Sequence, residues 1–555
     1  MTSNPTPSAT AVASVLCLFC GVIYLVKYYA GVPLLYYPLL AVSALALAAG
    51  ARSIGCALPA RIRFAAADLV TPRAATVAVG AIVALFFALF TTLAICKYNA
   101  FSLRMLDFGL MDQAIWNTAH GRLLEVTDPQ LPFSNVSRLS THVEVVYAAF
   151  AALYRIAPDA RLLFAGQTLF VCAGIVLIFC IAKTVLGSDR KALAVVCATA
   201  LFPALQFMVL FDFHGDVLSI PFFLLSYFGH LKKKEWLFWL GLVFALFCKE
   251  YAGLAAIGYG AALMAAHRDW KRGAATAALG LLYFSASFYL VVPLFNNGSE
   301  STLTRLDYSA IGGNGGLAGM VRFAAHHPAA FMARLSTMHN AESLFYLFFP
   351  LAFLPLLSPA FLLGAAPIFL KDMLFGMDIG THHLACGMPF LFIAFIDGIR
   401  RYETLALRLP GANLLRAAGF PFAIPVAAGL IASFCYGPSP MGHRFWRESY
   451  YYLPSPHVKA CQTIVKNVPQ LCPVSASDNL APHLTHRQFC YVFPAPLPLA
   501  PAALAKVDYV CVDTSQWQSL VPGHTGFASQ TLPLIRSIGF DSLMETGGIF
   551  LFKRR

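Results

Sequence analysis

Charged residues are scarce in this chain: Asp, Glu, Lys and Arg make up 12% of its 555 residues, against about 25% in an ordinary soluble protein. Hydrophobic residues reach 59%, and no compact soluble fold hides that much apolar surface from water. Acidic residues are the scarcer sign, at 26 against 39 basic ones. The high apolar fraction and the low charged fraction together exclude a soluble enzyme and indicate an integral membrane protein.

Basic runs interleaved with aromatic residues are also missing, which excludes nucleic acid as a partner despite a formal net charge of +13. In a membrane protein, Lys and Arg collect in cytoplasmic loops, so their excess informs topology. The first apolar run has no basic segment before it and no small-residue cleavage site. We therefore interpret it as a retained helix rather than a signal peptide.

Apolar runs of about 20 residues are needed to cross the hydrocarbon core of a bilayer, and the sequence holds about thirteen candidate spans, some of them short. They are 11–27, 33–50, 75–96, 162–183, 192–210, 217–231, 236–248, 251–267, 273–295, 344–357, 360–370, 384–399 and 414–435. Five clusters of Lys and Arg all face the cytoplasm only if segment 143–154 lies on the membrane surface or re-enters without crossing. The N-terminus is then cytoplasmic, and the loops 97–142 and 296–343 face outward.

The composition changes after residue 435, where prolines and short alternating apolar runs replace the long apolar ones. We expect short strands at 473–478, 490–493, 507–512 and 549–552, and helices at 458–468 and 532–538. The chain therefore divides into a transmembrane domain, 1–435, and an extracytoplasmic α/β domain, 436–555. Two disulfides and unpaired buried thiols both remain open for the four cysteines of this domain, Cys461, Cys472, Cys490 and Cys511.

The richest polar stretch is 107–121, which follows the third predicted span. Its apolar residues recur at helical spacing, so we expect an amphipathic helix on the outer surface. Two interpretations of its acids remain open. Either Asp107 caps this helix while Asp112 faces water, or one of the two carboxylates takes part in catalysis.

Other ionisable residues gather at the predicted outer ends of spans. They are His142, Glu144, Asp212, His214, Asp216, Lys249, Glu250, Asp378, His382 and His383. The segment 211–216 is either a capped hairpin or a binding surface, and Lys249 with Glu250 is either a structural ion pair or a ligand for an anionic headgroup. His382 and His383 are a weak metal motif, because the sequence lacks a third ligand at metal spacing. Since ionisable groups at a membrane are functional hypotheses by default, we expect them to line one outward cavity.

This arrangement, with an early outer-loop Asp at the start of a surface helix and an outer C-terminal domain, resembles the GT-C superfamily of membrane glycosyltransferases. More closely, Asp107-Phe-Gly-x-x-Asp112-Gln-Ala-x-Trp-Asn, Phe211-Asp-Phe-His and Lys249-Glu250 resemble a bacterial membrane-protein family catalogued as a domain of unknown function. The resemblance covers about residues 106–401. It implies a polytopic α-helical protein of the bacterial cytoplasmic membrane and cell envelope. The implied activity is transfer of a sugar from a polyprenyl-phosphate donor to a lipid or glycan acceptor outside the cytoplasm.

Such a reaction needs a carboxylate that takes the proton of the acceptor hydroxyl. We predict Asp107 for this role, with Asp112 as helper or alternative. The Asp-Glu pair usual in GT-C enzymes is absent, because Phe108 follows Asp107, and this leaves the choice between the two acids open.

The departing polyprenyl phosphate needs positive charge, for which we predict Lys249, oriented by Glu250, and Arg305 from the long outer loop. The remaining polar residues are expected to bind the sugar or line the cavity, and Asp212, His214 and Asp216 among them to bind sugar hydroxyls or a divalent cation. They are His142, Glu144, Asp212, His214, Asp216, His382 and His383. The sequence leaves the need for a metal or other cofactor open.

Two other function classes compete with the transferase. A lipid or solute transporter or flippase is expected to show internal repeats and broken helices that meet near the midplane. The sequence has no such repeat, and its polar residues cluster at one face. A non-enzymatic assembly factor that works through its outer domain leaves the polar lining of the cavity without a purpose.

Overall fold

The structure is a computed structural model that describes residues 71–127, 135–296, 316–408, 420–493, 504, 506–515 and 527–555. The first two predicted spans, Arg305 and much of the loop 296–343 lie outside the described residues. The described helices are α1 (Pro72–Asn99), α2 (Leu110–Ala119), α3 (Tyr147–Ile156), α4 (Arg161–Leu186), α5 (Asp189–Ala200), α6 (Pro203–Leu210), α7 (Gly215–Leu231), α8 (Glu235–Leu246), α9 (Ala252–His267), α10 (Trp270–Ala286), α11 (Val292–Phe295), α12 (Gly316–His326), α13 (Pro328–Leu335), α14 (Met338–Phe348), α15 (Pro359–Phe375), α16 (Met388–Arg408), α17 (Phe420–Tyr436), α18 (His443–Arg447), α19 (Pro456–Lys466) and α20 (Phe527–Ser537).

Three helical segments of the described chain are long and apolar enough to cross a membrane. They are Pro72–Asn99, Arg161–Leu186 and Trp270–Phe295, and they confirm the helices predicted at 75–96, 162–183 and 273–295. α5 and α6 form a fourth span if this pair, bent by 52°, is counted as one. The total of about thirteen stays a prediction, because the other runs form shorter helices or fall partly outside the described residues.

The run predicted as a span at 344–357 is broken in the structure. α14 ends at Phe348, and two 3₁₀ turns follow, Phe349–Leu351 and Leu354–Leu357. Each turn contains a proline, which has no backbone N–H for a continuing helix, and Ala352 and Phe353 between them adopt φ of 53° and 57°. Prediction of one continuous span here was therefore wrong.

Segment 143–154 forms α3, a helix of ten residues. At 1.5 Å per residue it is about 15 Å long, roughly half the thickness of the hydrocarbon core. It is therefore too short to cross, as predicted. Elsewhere helices approach closely: a Cβ on Gly260 of α9 would lie 2.3 Å from the carbonyl oxygen of Gly273 in α10, so glycine is required at this crossing.

The C-terminal part forms a five-stranded sheet, in the spatial order Cys490–Val492, Val474–Ala476, Tyr509–Asp513, Ile549–Arg554 and Phe540–Thr546. Its strands are β3 (Val474–Ala476), β4 (Cys490–Val492), β5 (Tyr509–Asp513), β6 (Phe540–Thr546) and β7 (Ile549–Arg554), whereas β1 (Glu125–Thr127) and β2 (Asn135–Ser137) pair in the first outer loop. β3 runs parallel to β4 and β5, and β7 runs antiparallel to β5 and β6. Four predicted strands and both predicted helices, α19 and α20, are confirmed.

The sheet shares its core with the helices on one side. Val474 and Cys511 belong to the same buried apolar cluster as the helical part, whereas Val510 and Val512 pack with Ile535 of α20 on the other face. The four cysteines of this region are free thiols in the structure. This outcome matches the second of the two alternatives that the sequence left open.

Candidate functional site

Asp107 lies in one turn of π-helix, Met105–Gly109, between α1 and α2. The turn begins where the Met105 N–H donates to Asp478 Oδ1 of the C-terminal region at 2.9 Å. Asp107 is half-buried, and within the described part of the chain its carboxylate makes no hydrogen bond or ion pair. π turns occur frequently at functional sites, and this one presents a carboxylate that the fold itself does not use.

Two further acids surround Asp107, one from each part of the molecule. Asp212, in the turn between α6 and α7, pairs with Lys97 Nζ at 2.7 Å and has a φ of 97°, a strained value for a non-glycine residue. Burial and the charge of Asp107 raise the pKa of Asp478 above its ordinary value, although Met105 and Arg104 oppose the rise. Asp107 therefore acts electrostatically on one acid of each part, Asp212 and Asp478.

Asp112 has a different environment from Asp107. Its carboxylate is fully buried and accepts hydrogen bonds from the Tyr154 hydroxyl at 2.5 Å and from the Thr485 hydroxyl, and it lies 3.2 Å from His486 Nε2. We call these four residues the seam, because they join α2 and α3 to the C-terminal region.

The charges of the seam stabilise each other. Burial disfavours the Asp112 carboxylate, but the positive charge of His486 and the hydrogen bonds outweigh burial and hold its pKa below the ordinary value. Burial likewise opposes the His486 charge, yet Asp112 raises the pKa of His486 above its ordinary value. Asp112, which we predicted as helper or alternative base, thus contributes to the contact between α2, α3 and the C-terminal region.

Four other predicted residues come together in a buried network of ions. Glu144 accepts from Arg138 Nε at 2.8 Å and from Lys249 Nζ at 2.7 Å. Glu250 bonds His142 Nδ1 at 2.8 Å and the Val143 N–H at 2.9 Å. We call Arg138, His142, Glu144, Lys249 and Glu250 the ion network; its Lys249 is 4% exposed, so a phosphate would have to displace Glu144 to reach the ammonium.

Three predicted residues form a second buried group, the histidine cluster: His214, Asp216 and His382. His382 Nδ1 lies 2.7 Å from Asp216 Oδ2, and the rings of His214 and His382 stack with centroids 3.5 Å apart. His383 is exposed beside His382, with ring centroids 4.4 Å apart. The donor atoms of the cluster all lie within 4.8 Å of one another, which is close enough to hold one metal ion.

A cavity of about 310 Å³ opens between α6, α14 and the segment that follows α17. Its lining includes the basic residues Arg444, Arg447 and His443 and the acids Glu342 and Asp378. The Arg444 guanidinium lies 4.8 Å from the centroid of Phe207, an aromatic contact that orients the cation. The cavity therefore combines positive charge, acids and aromatic surface on the predicted outer side.

The cavity cations were missed in the sequence. Arg444 and Arg447 stand alone in a mixed polar segment, and no motif marks them. Thr485 and His486 were missed for the same reason. Arg444 and Arg447 could have been found by their position, since a segment with several arginines and aromatic residues directly follows the last apolar run.

Comparisons with known proteins agree with a membrane protein. A family described as "Predicted membrane protein (DUF2079)" matches residues 97–531, whereas no curated protein matches. Thirteen chains of solved structures match; one is the crystal structure of ArnT from Cupriavidus metallidurans bound to undecaprenyl phosphate, with 11% identity, a TM-score of 0.45, and coverage of 87% of this chain and 98% of that chain. Because the family match spans well over half of the sequence, the chain belongs to the DUF2079 family of predicted membrane proteins.

Proposed function

We propose that this protein transfers a glycosyl group from a polyprenyl-phosphate-linked sugar to a lipid or glycan acceptor at the outer face of the membrane. The observation that carries the proposal is Asp107, a half-buried carboxylate on a π turn that has no hydrogen bond or ion pair among the described residues. Electrostatic effects connect Asp107 with the arginines of the cavity through Asp212. The charge of Asp107 acts on the carboxyl group of Asp212. The charges of Asp212 and Arg444 both act on the pKa of Tyr452, in opposite directions.

In the proposed reaction Asp107 accepts the proton of the acceptor hydroxyl as that oxygen attacks the anomeric carbon. The bond between this carbon and the phosphate oxygen breaks, and the polyprenyl phosphate leaves with the negative charge. Half-buried Asp107 is open to an acceptor, whereas Asp112 is enclosed by Tyr154, Thr485 and His486. This difference favours Asp107 over Asp112 as the base.

Arg444 and Arg447 line the cavity and are assigned to the leaving phosphate, because guanidinium groups bind phosphate oxygens in pairs. Each also pairs with Glu448, at 3.1 Å and 3.3 Å, so phosphate binding competes with this carboxylate. Lys249 stays a prediction for the same role, and it requires the pair with Glu144 to open. Arg305 stays a prediction outside the described residues. Glu342 and Asp378, which also line the cavity, offer acceptors for sugar hydroxyls.

The test is a transfer assay in proteoliposomes with radiolabelled polyprenyl-phosphate sugars and membrane lipid acceptors. Asp107→Asn should lower the transfer rate by about 10²- to 10⁴-fold, the usual contribution of a general base, without lowering the thermal midpoint. Asp541→Asn is the matched control, since this exposed acid pairs with Arg555 at the surface, and it should keep the wild-type rate.

Full transfer by Asp107→Asn would remove Asp107 from the role of base. Movement of the lipid across the bilayer without any transfer by the wild type would overturn the transferase in favour of a flippase. A wild type that neither transfers nor moves the lipid, with any donor of the panel, would favour the assembly factor.

A further inference from the structure

His214 is the residue that the fold leaves without an explanation. Its side chain is buried at 3% exposure, and neither ring nitrogen has a hydrogen-bond partner among the described residues. A buried polar group left without a hydrogen bond destabilises the folded state. An imidazole with two such nitrogens therefore points to a ligand.

The backbone around His214 is held firmly. Its N–H donates to Gln167 Oε1 of α4 at 2.8 Å, and the next N–H, that of Gly215, donates to the Tyr147 hydroxyl at 2.9 Å. A Cβ on Gly215 would lie 2.4 Å from the Cys248 carbonyl oxygen, so only glycine fits here. The fold thus fixes a ring whose polar atoms it does not satisfy.

The neighbours of His214 are metal-ligand types. Asp216 enters from the first turn of α7 and His382 from the loop before α16, and their donor atoms and one of His214 lie within 4.8 Å of one another. The Val217 N–H donates to Asp216 Oδ1 at 3.1 Å and leaves Oδ2 directed toward His382. Hydrogen bonds that orient a ligating carboxylate in this way are typical of metal sites.

The donor set selects the class of ion. Two imidazoles and one carboxylate suit Zn²⁺ and related first-row dications, whereas Mg²⁺ and Ca²⁺ prefer oxygen ligands. Three protein ligands with a fourth position open are typical of catalytic rather than structural zinc sites.

The competing explanation is an Asp216–His382 ion pair with His214 stacked beside it as a core residue. It accounts for the 2.7 Å contact and for the ring stacking. It leaves both nitrogens of His214 unsatisfied, which an ordinary core histidine avoids. A metal ion takes one nitrogen of His214 as a ligand, so that a single nitrogen is left unsatisfied instead of two.

The same molecule contains a second group of metal-ligand types, His457, Cys461 and Asp513. Its members already satisfy each other. His457 Nε2 lies 3.0 Å from Asp513, and Asp513 also accepts from Asn479 and Ser515. This group is therefore explained without an ion and serves as a control.

We propose that His214, Asp216 and His382 bind one transition-metal dication of the Zn²⁺ class. The site does not depend on the proposed transfer, because metal content is measured without any substrate. Asp378 lies in the loop that carries His382 and lines the cavity, so one loop connects the proposed metal site with the cavity.

The test uses the full chain purified in detergent, stripped with EDTA and reloaded with Zn²⁺ or Co²⁺. Elemental mass spectrometry should find one equivalent of Zn²⁺ in the wild type and in His457→Gln, and background levels in His214→Gln. Co²⁺ should give the visible absorption bands of a tetrahedral site in the first two proteins only. If His214→Gln does not fold, His382→Gln provides the same comparison.

The thermal midpoint separates loss of a ligand from loss of the fold. In EDTA the midpoint of His214→Gln should equal that of the wild type, and only the wild type should gain stability from Zn²⁺. A wild type that takes up no metal, or metal retained by His214→Gln, would overturn the proposal. Metal lost only in His457→Gln would assign the ion to the other group.

Discussion

The ion network and the histidine cluster are neighbours that differ in how their buried polar groups are paired. A Cβ on Gly215, next to His214, would lie only 3.5 Å from Cγ of Glu144. In the ion network, Glu144 and Lys249 are paired within 2.7 Å, whereas His214 has no partner among the described residues. Burial of polar residues alone therefore does not mark a site, and the unsatisfied group is the stronger indication of a ligand.

The same contrast separates the two acids of the first outer loop. Asp107 and Asp112 are five positions apart, and the sequence offered both as a base. Asp112 is paired with the other three residues of the seam, whereas the carboxylate of Asp107 has no hydrogen bond or ion pair among the described residues. Paired regions should thus respond to mutation through stability, and unpaired groups through activity or ligand binding.

The largest effect that tests this contrast is expected at Glu144. Glu144→Gln leaves Arg138 and Lys249 buried without their anion, and breaking a buried ion pair costs about 3–5 kcal/mol. The free energy of unfolding in detergent should fall by this amount. Glu403→Gln is the matched control, because its surface pair with Lys191 should contribute only about 0–1 kcal/mol. Equal losses in the two variants would contradict the structural role of the ion network.

A smaller loss is expected in the seam. Asp112→Asn removes the charge that pairs with His486 and weakens the bonds from Tyr154 and Thr485, at a cost of about 1–3 kcal/mol. Denaturation of the full chain should show the loss, with Asp541→Asn unchanged. Transfer activity per folded molecule should stay at the wild-type level, and its complete loss with unchanged stability would instead make Asp112 the base.

The smallest effect is the pH dependence of the seam. The lowered pKa of Asp112 makes its contribution complete above about pH 4 and lost in stronger acid, and the raised pKa of His486 makes its contribution complete below about pH 6.5 and lost in base. A double-mutant cycle of Asp112→Asn and His486→Gln should give a larger coupling energy at about pH 6 than at about pH 9. A coupling energy that is constant over this range would show that the pair carries no charge.

Much of the fold could be predicted from local pattern. Alternating apolar residues predicted strands such as 507–512, and long apolar runs predicted α1 and α4. Strand β6 escaped because its exposed residues, Asp541 and Glu545 among them, hide the alternation at the edge of a sheet. The run 344–357 was predicted as one span because its composition is apolar throughout, although its prolines break the helix.

The site could be predicted only in its parts. The sequence shows which polar residues exist but not which of them pair, because the partners lie far apart along the chain. Lys249 is 105 residues from Glu144, and Thr485 is 373 residues from Asp112. Residues such as Asp112 and Lys249 therefore looked equivalent to Asp107 until their partners were known.

The bond between Met105 and Asp478 also determines when the turn that carries Asp107 is complete. The two residues are 373 positions apart, so their contact closes a long loop of the chain. The ribosome makes the turn early and its partner hundreds of residues later. The final surroundings of Asp107 therefore exist only in chains that have been synthesised and folded past residue 478. A shorter nascent chain lacks the bond between Met105 and Asp478.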